Sequence, residues 1–232
     1  MRLISHIEFC IFYVCEGRDM RQNLHPWEKK LNICTSGCDA SKEDDYHYRY
    51  EPTSYAVLER LAESNYILRE NVVLDYGCGK GRVGFFLNHK IGCKVIGIDF
   101  DQRMYDAAEE NLRNFSRRFW NDKVEVGYRS CEERYDIKFL CESAETYEVE
   151  FADCFYFFNP FSIEILQSVI GKIIKSYYNR PREMKLFFYY PSDEYISYLM
   201  TVSELCFLDE VDCSDLILGY NEREKILIFE VF

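Results

Sequence analysis

The chain predicts an α/β fold: a doubly wound, mostly parallel seven-stranded sheet with a C-terminal antiparallel hairpin. Three observations predict it. Short apolar runs alternate with helical patterns from residue 71 onward, which is the pattern of a parallel sheet with helices on both faces. The first of those runs, Val72-Val73-Leu74-Asp75, passes directly into three spaced glycines and then into a helical pattern. The last two runs are separated only by Ser214–Glu224, too short for a parallel crossover, so they are expected to pair as a hairpin.

The elements follow in order. Pro52-Thr53-Ser54 reads as a helix start, and Tyr55, Val57, Leu58, Leu61 and Ala62 then form an apolar stripe at helical spacing. Strand-like runs lie at about 72–76, 94–99, 136–141, 153–158, 184–190, 205–212 and 225–231. Helical patterns lie at about 82–90, 102–119, 162–178 and 193–203. Residues 120–135 carry no clear pattern. Residues 16–51 are the least regular: polar, charged, with His25-Pro26 and the acidic cluster Glu43-Asp44-Asp45. The reading is therefore an N-terminal appendage over 1–50 and a core over 51–232.

Length and composition set bounds. A chain of 232 residues suits one domain, or one domain with an appendage, and 48% hydrophobic residues supply a substantial core. The formal charge of −12 argues against a broad phosphate-tracking surface. Ile7–Cys15 is apolar but contains Glu8 and is far too short to span a bilayer. Glu-Gly-Arg-Asp follows it where a signal peptide would have small residues, so it reads as a strand or a buried helical turn. No membrane partner is expected. The 11 cysteines are odd in number and follow no framework spacing, which predicts reduced thiols and a cytoplasmic location. Cys10-x4-Cys15 and Cys34-x3-Cys38, with His6 and His25, depart from the tight pairs of structural zinc sites, and no metal is expected.

The run Asp75-Tyr76-Gly77-Cys78-Gly79-Lys80-Gly81 carries the chemistry. Glycines here let a ligand lie against the main chain, and the free N–H groups of the next helix face the same spot. The dinucleotide fingerprint does not fit, because the third glycine comes one residue early and Arg82 stands in its place. The phosphate-loop spacing is also absent. An ordinary strand–turn–helix corner is the plainer alternative.

With its acid two places before the first glycine, this run resembles the first motif of class I (Rossmann-like, seven-strand) S-adenosylmethionine-dependent methyltransferases. That resemblance covers about residues 50–232. It implies S-adenosylmethionine as cofactor, with the loop against its amino-acid end and Asp75, Tyr76, Gly77, Cys78, Gly79 and Gly81 as cofactor-binding residues. Lys80 and Arg82 would then meet the cofactor's carboxylate or solvent.

Further residues extend the site. Val95-Ile96-Gly97-Ile98-Asp99 is an apolar strand ending in a carboxylate 24 residues after Asp75. A carboxylate offers two acceptor oxygens to two ribose hydroxyls. Asp101 is expected as the cap of the following helix. The resemblance puts adenine recognition at Ser143-Ala144, by the serine hydroxyl, a neighbouring carboxylate or backbone N–H groups. Phe100 and Tyr105 are candidates to stack on adenine, or to pack in the core. Asn159-Pro160-Phe161 ends a fourth strand and resembles the Asn/Asp-Pro-Pro-Tyr/Phe motif of amino-methylating enzymes, with one proline where that motif has two. It implies Asn159, Pro160 and Phe161 as the catalytic group, Asn159 also touching the cofactor. Tyr50, Thr53 and Tyr55 resemble a lid ahead of the core, though a simple proline-started helix reads as well. Tyr189-Tyr190-Pro191 either lines the acceptor pocket or packs in the core.

The expected function is methyl transfer from S-adenosylmethionine to a nitrogen of a protein side chain or small molecule. The acidic balance makes structured RNA a less favoured acceptor. Two alternatives stay open: a non-catalytic S-adenosylmethionine-binding sensor or partner subunit, and an NAD-dependent oxidoreductase, against which the loop spacing argues.

Overall fold

The computed structural model of the protein describes residues 24–37, 50–120, 136–216 and 221–232. The runs Ile7–Cys15, Glu43–Asp45 and 121–135 lie outside the described residues, as does Cys38.

The strands are β1 (Val72–Tyr76), β2 (Lys94–Asp99), β3 (Ile137–Cys141), β4 (Cys154–Phe157), β5 (Lys185–Tyr189), β6 (Leu205–Asp212) and β7 (Lys225–Val231). They form one seven-stranded sheet in the order β3-β2-β1-β4-β5-β7-β6. The pairs from β3 through β5 are parallel, whereas β7 runs antiparallel to both β5 and β6. The doubly wound sheet with a C-terminal hairpin is therefore as the sequence predicts.

The helices are α1 (Pro26–Leu31), α2 (Tyr55–Glu63), α3 (Arg82–Ile91), α4 (Gln102–Trp120), α5 (Ile163–Asn179) and α6 (Asp193–Leu199). Strand side chains alternate between two faces. Val73, Val95, Cys154, Tyr156, Phe187, Ile226 and Ile228 pack with α2 and α3. Leu74, Tyr76, Phe155, Phe157, Phe188, Leu227 and Phe229 pack with α5 and α6 on the other face. Central strands buried on both faces are why these runs read as continuously apolar. Toward the β3 edge, Phe85 of α3 packs with Ala108, Leu112 and Phe115 of α4 and with Phe139.

Two departures have local causes. The segment at His25-Pro26 opens a short helix that the irregular pattern did not reveal. Pro26 takes a first-turn position and the His25 ring accepts a hydrogen bond from Trp27 N. Helix α6 ends at Leu199 and does not reach 203. Thr201 donates both its N–H and its hydroxyl to Tyr198 O, closing the last turn.

The strand register positions the site. Asp75 on β1 lies between Gly97 on β2 and Tyr156 on β4. A Cβ on Gly97 would come within 2.7 Å of Phe139 Cδ1 and 2.9 Å of Cys78 Sγ. The loop after β1 can rest on β2 only because Gly97 has no side chain. Edge strand β6 has a register shift between Phe207 and Asp209. It is largely exposed on both faces beyond Leu205.

Replacing Gly97 with Ala should overpack this contact and cost about 1–3 kcal/mol. Urea unfolding of G97A against the parent chain measures it. An unchanged midpoint would mean that the loop yields at no cost.

Candidate functional site

The cavity opens at the carboxyl ends of β1, β2 and β4. Its wall includes Asp75, Gly77, Cys78, Asp99, Ser143 and Asn159. This is the edge where open α/β sheets take ligands.

The glycine loop is held by short bonds to the end of β2. Gly77 N and Cys78 N both donate to Ile98 O, at 2.9 and 3.0 Å. Gly79 N donates to Asp99 Oδ2 at 2.8 Å, and Asp101 N donates to Asp99 Oδ1 at 2.9 Å. Gly81 has φ 86° and ends the loop as the N-cap of α3. A side chain there would be strained, and its Cβ would also meet Phe139 at 2.5 Å. Asp99 thus lies where the sequence reading places it, and it also fixes the loop. Both of its oxygens accept from backbone N–H groups. Asp101 caps α4 by accepting from Arg103 N, as expected.

Asp75 is 3% exposed, and its Oδ2 is buried with no hydrogen-bond partner among the described residues. Burial, and then repulsion from Asp99, push its carboxyl up to about 8. An isolated buried carboxylate oxygen is costly and calls for a donor.

Asn159 follows β4 in a left-handed conformation, φ 42°, and its Oδ1 is likewise buried without a described partner. Strain of this kind at a cavity wall points toward function. The next residue packs on the loop: a Cβ on Gly77 would fall 2.8 Å from Pro160 Cβ. Phe161 is buried edge-on to Tyr76 and Phe157, with ring centroids 6.4 and 6.3 Å away, and its carbonyl accepts from Tyr195 OH. The loop acid and the Asn-Pro-Phe group, 84 residues apart in sequence, therefore meet at one cavity.

At the β3 side, Glu142 N donates to Asp99 O at 3.0 Å, which brings Ser143 and Ala144 to the cavity wall. Ser143 Oγ accepts from Glu145 N at 3.2 Å. Phe100 also lines the cavity, 40% exposed. Tyr105 packs against the α3–α4 cluster and takes no part in the cavity wall.

Tyr50 and Thr53 line the cavity from the N-terminal side. The Tyr50 ring lies against Gly79, where a Cβ would meet it at 2.2 Å. Thr53 Oγ1 and Tyr156 OH are hydrogen-bonded at 3.0 Å. Tyr55 is instead a core residue beneath the Arg82 guanidinium, 4.6 Å from its ring centroid. Tyr189 is a core residue too, donating to Glu224 Oε2 at 2.7 Å, and Tyr190 stacks under Arg223. Core packing is thus the reading that holds for these two.

Sequence reasoning missed Glu28, Thr35 and Tyr156. Glu28 is fully buried and bonded to Arg82 Nη2 at 3.1 Å. Arg82 therefore faces a carboxylate of its own chain rather than solvent. Lys80 Nζ donates to Ser36 O at 3.0 Å. Nothing local in Trp27-Glu28-Lys29-Lys30 marks Glu28, because its partner lies 54 residues away.

Among the described residues no cluster of His, Cys, Asp and Glu could hold a metal ion, and no helix is long and apolar enough to cross a membrane.

Residues 73–169 match a family model described as a methyltransferase domain. Over 108 residues the chain is 29% identical to a histone-lysine N-methyltransferase, H3 lysine-79 specific, of Dictyostelium discoideum, covering 47% of this chain and 5% of that protein. Over 105 residues it is 31% identical to ribosomal RNA small subunit methyltransferase H of Thermotoga neapolitana, covering 45% of this chain and 31% of that protein. The chain thus spans less than a third of either relative. The solved structure of an RNA methyltransferase from Salinibacter ruber, in complex with S-adenosyl-L-homocysteine, superposes with a TM-score of 0.51 at 13% identity, covering 78% of this chain and 94% of that one. At that identity the likeness is one of fold. Residues 73–169 are thus similar to a methyltransferase domain, and the sheet shares its fold with the S-adenosyl-L-homocysteine-bound methyltransferase structure on which it superposes.

Proposed function

We propose that this protein transfers a methyl group from S-adenosylmethionine to a nitrogen atom of a protein side chain or small molecule. One observation carries the reading: two buried acceptor oxygens without described partners, Asp75 Oδ2 and Asn159 Oδ1, belong to residues lining one cavity. The first suits an ammonium and the second an N–H group.

The residues fit the cofactor on these grounds. Asp75 would hold the ammonium of its amino-acid end against the loop of Tyr76, Gly77, Cys78, Gly79 and Gly81. Asp99, on the cavity wall at the end of β2, would accept from ribose hydroxyls. Ser143 and Ala144 would border adenine, with Phe100 at its exposed side. When bound, the cofactor supplies a sulfonium-activated methyl group. The chain's own task is then to orient and desolvate the acceptor. Asn159 would accept a hydrogen bond from the acceptor nitrogen, held in place by Pro160 on Gly77 and by the buried Phe161 ring. That arrangement fixes the direction of the nitrogen lone pair without a covalent intermediate.

The two curated relatives are named for different acceptors, a histone lysine and ribosomal RNA. The net charge of −12 favours a cationic acceptor over a polyanion. Residues 51–232 would be the catalytic core and 1–50 its appendage. The described cysteines are free thiols, which suits a reducing cytoplasm.

Incubation with methyl-labelled S-adenosylmethionine and separate arms of basic peptides, small amines and structured RNA tests the acceptor. Label is expected on a nitrogen of a peptide or amine. Label on RNA, or on oxygen or carbon, would overturn this reading.

Asn159→Ala should lower turnover about a hundredfold, the scale of losing a positioning contact, while S-adenosylhomocysteine affinity changes little. Equal losses in turnover and affinity would make Asn159 a cofactor residue only.

Asp75 gives a pH prediction. In the free protein its carboxyl titrates near 8, against 3.8 unfolded. A raised acid contributes stability below the unfolded value and loses it as pH rises toward 8. Asp75→Asn should therefore increasingly stabilise the free protein between about pH 4 and 8, by thermal melting, yet weaken S-adenosylhomocysteine binding. Calorimetry at pH 6.5 in two buffers should register proton release on binding by the parent chain and none by D75N. Tight binding by D75N would remove the ammonium from this site.

A further inference from the structure

We propose that Arg82 is a positioning residue that makes cofactor affinity depend on the 26–36 segment. This rests on the reading of the cavity as the cofactor site. Arg82 opens α3, where the helix dipole disfavours a cation, and it is only 9% exposed. Helix stability does not explain it, and burying its charge costs free energy unless its donors are matched.

They are matched by three residues from two stretches of chain, Glu28 and Thr35 of the 26–36 segment and Thr53 ahead of α2. Nε donates to Thr35 Oγ1 at 2.7 Å, Nη1 to Thr53 O at 3.0 Å, and Nη2 to Glu28 Oε1 at 3.1 Å. Thr35 relays the contact, because its own hydroxyl donates to Glu28 Oε1 at 2.6 Å. Glu28 is filled on both oxygens: Thr35 N also reaches Oε1 at 2.9 Å, and Ser36 Oγ reaches Oε2 at 3.0 Å.

The same segment then bears on the glycine loop. Tyr50 OH donates to Thr35 O at 2.6 Å, which holds the Tyr50 ring on Gly79. Asn111 bonds both Cys34 and Lys80 O, joining the segment to the loop from the far side. Tyr50 and Thr53 are cavity walls, and both are placed by the Thr35–Arg82–Glu28 group. A buried ion pair can often be exchanged for apolar residues without loss of stability. Apolar residues could not hold the Thr53 carbonyl and the Thr35 hydroxyl, so stability and affinity should come apart.

The test is calorimetric affinity for S-adenosylhomocysteine, with melting temperature, for the full-length parent chain, Arg82→Lys, Thr35→Val and the double variant Glu28→Met with Arg82→Met. Lysine keeps the charge beside Glu28 but is a point donor on a flexible stem. R82K is expected to melt within a few degrees of the parent and to bind about tenfold more weakly. The double variant is expected to regain most of the stability of the parent and to bind at least as weakly as R82K. Parent-like affinity in either folded variant would overturn the proposal and leave the pair as a packing device. If neither folds, T35V decides. It removes one hydroxyl, and a loss of affinity exceeding threefold is expected, while unchanged affinity would overturn the proposal. Failure of the parent chain itself to bind would overturn the cofactor reading first, and the inference with it.

Discussion

The site depends on how closely the chain after β1 can lie on the end of β2. Gly77 N and Cys78 N share one carbonyl, Ile98 O, and Gly79 N takes a carboxylate oxygen of the very next residue, Asp99. Three successive donors on two adjacent residues leave the loop no freedom to lift. Gly97 makes the approach sterically feasible, since any Cβ there would strike Cys78. Beneath the seated loop, Asp75 Oδ2 is buried with no hydrogen-bond partner among the described residues. The backbone around it is committed on both sides, to β2 and to β4.

The rest of the site is arranged against that fixed loop. Pro160 rests on Gly77 and Tyr50 rests on Gly79, so the residues from β4 and from the N-terminal side both use the glycines as contact surfaces. The left-handed Asn159 is followed by a proline packed on Gly77 and preceded, two residues back, by Phe157, which stacks on Tyr76 with centroids 4.9 Å apart. A strained backbone persists when its neighbours over-determine it. The cavity therefore combines a desolvated acid, a strained amide and a rigid floor, which is a costly arrangement for a protein that binds nothing there.

Legibility followed sequence separation. The strand–glycine–helix corner, the place of Asp99 at the end of β2 and the Asp101 cap were all readable because each signal is local, whereas the bond from Gly79 N to Asp99, 20 residues apart, was not. The Asn-Pro-Phe group was readable as a motif, but not its positive φ or its contact with Gly77, since both arise from tertiary packing. Tyr55 and Tyr189 show the converse: an aromatic at a promising position looks the same in sequence whether it faces a cavity or the core. The role of Arg82 was invisible because its partners, Glu28, Thr35 and Thr53, come from residues 29 to 54 positions away. No local pattern announces a carboxylate that will be fully buried.

The far edge of the sheet carries a different lesson. Strand β6 is the edge of the sheet among the described residues, and Phe207 and Leu208 are 43% and 39% exposed on it. Such an edge is a template on which another chain can add a strand. Two features oppose that. The irregularity between Phe207 and Asp209 breaks the straight run, and Asp209, Glu210 and Asp212 follow in quick succession. Two copies approaching edge to edge would bring these carboxylates together. The acidity of this protein, which reads in composition as a preference among partners, thus also serves at β6 to keep the fold from becoming the seed of its own aggregate.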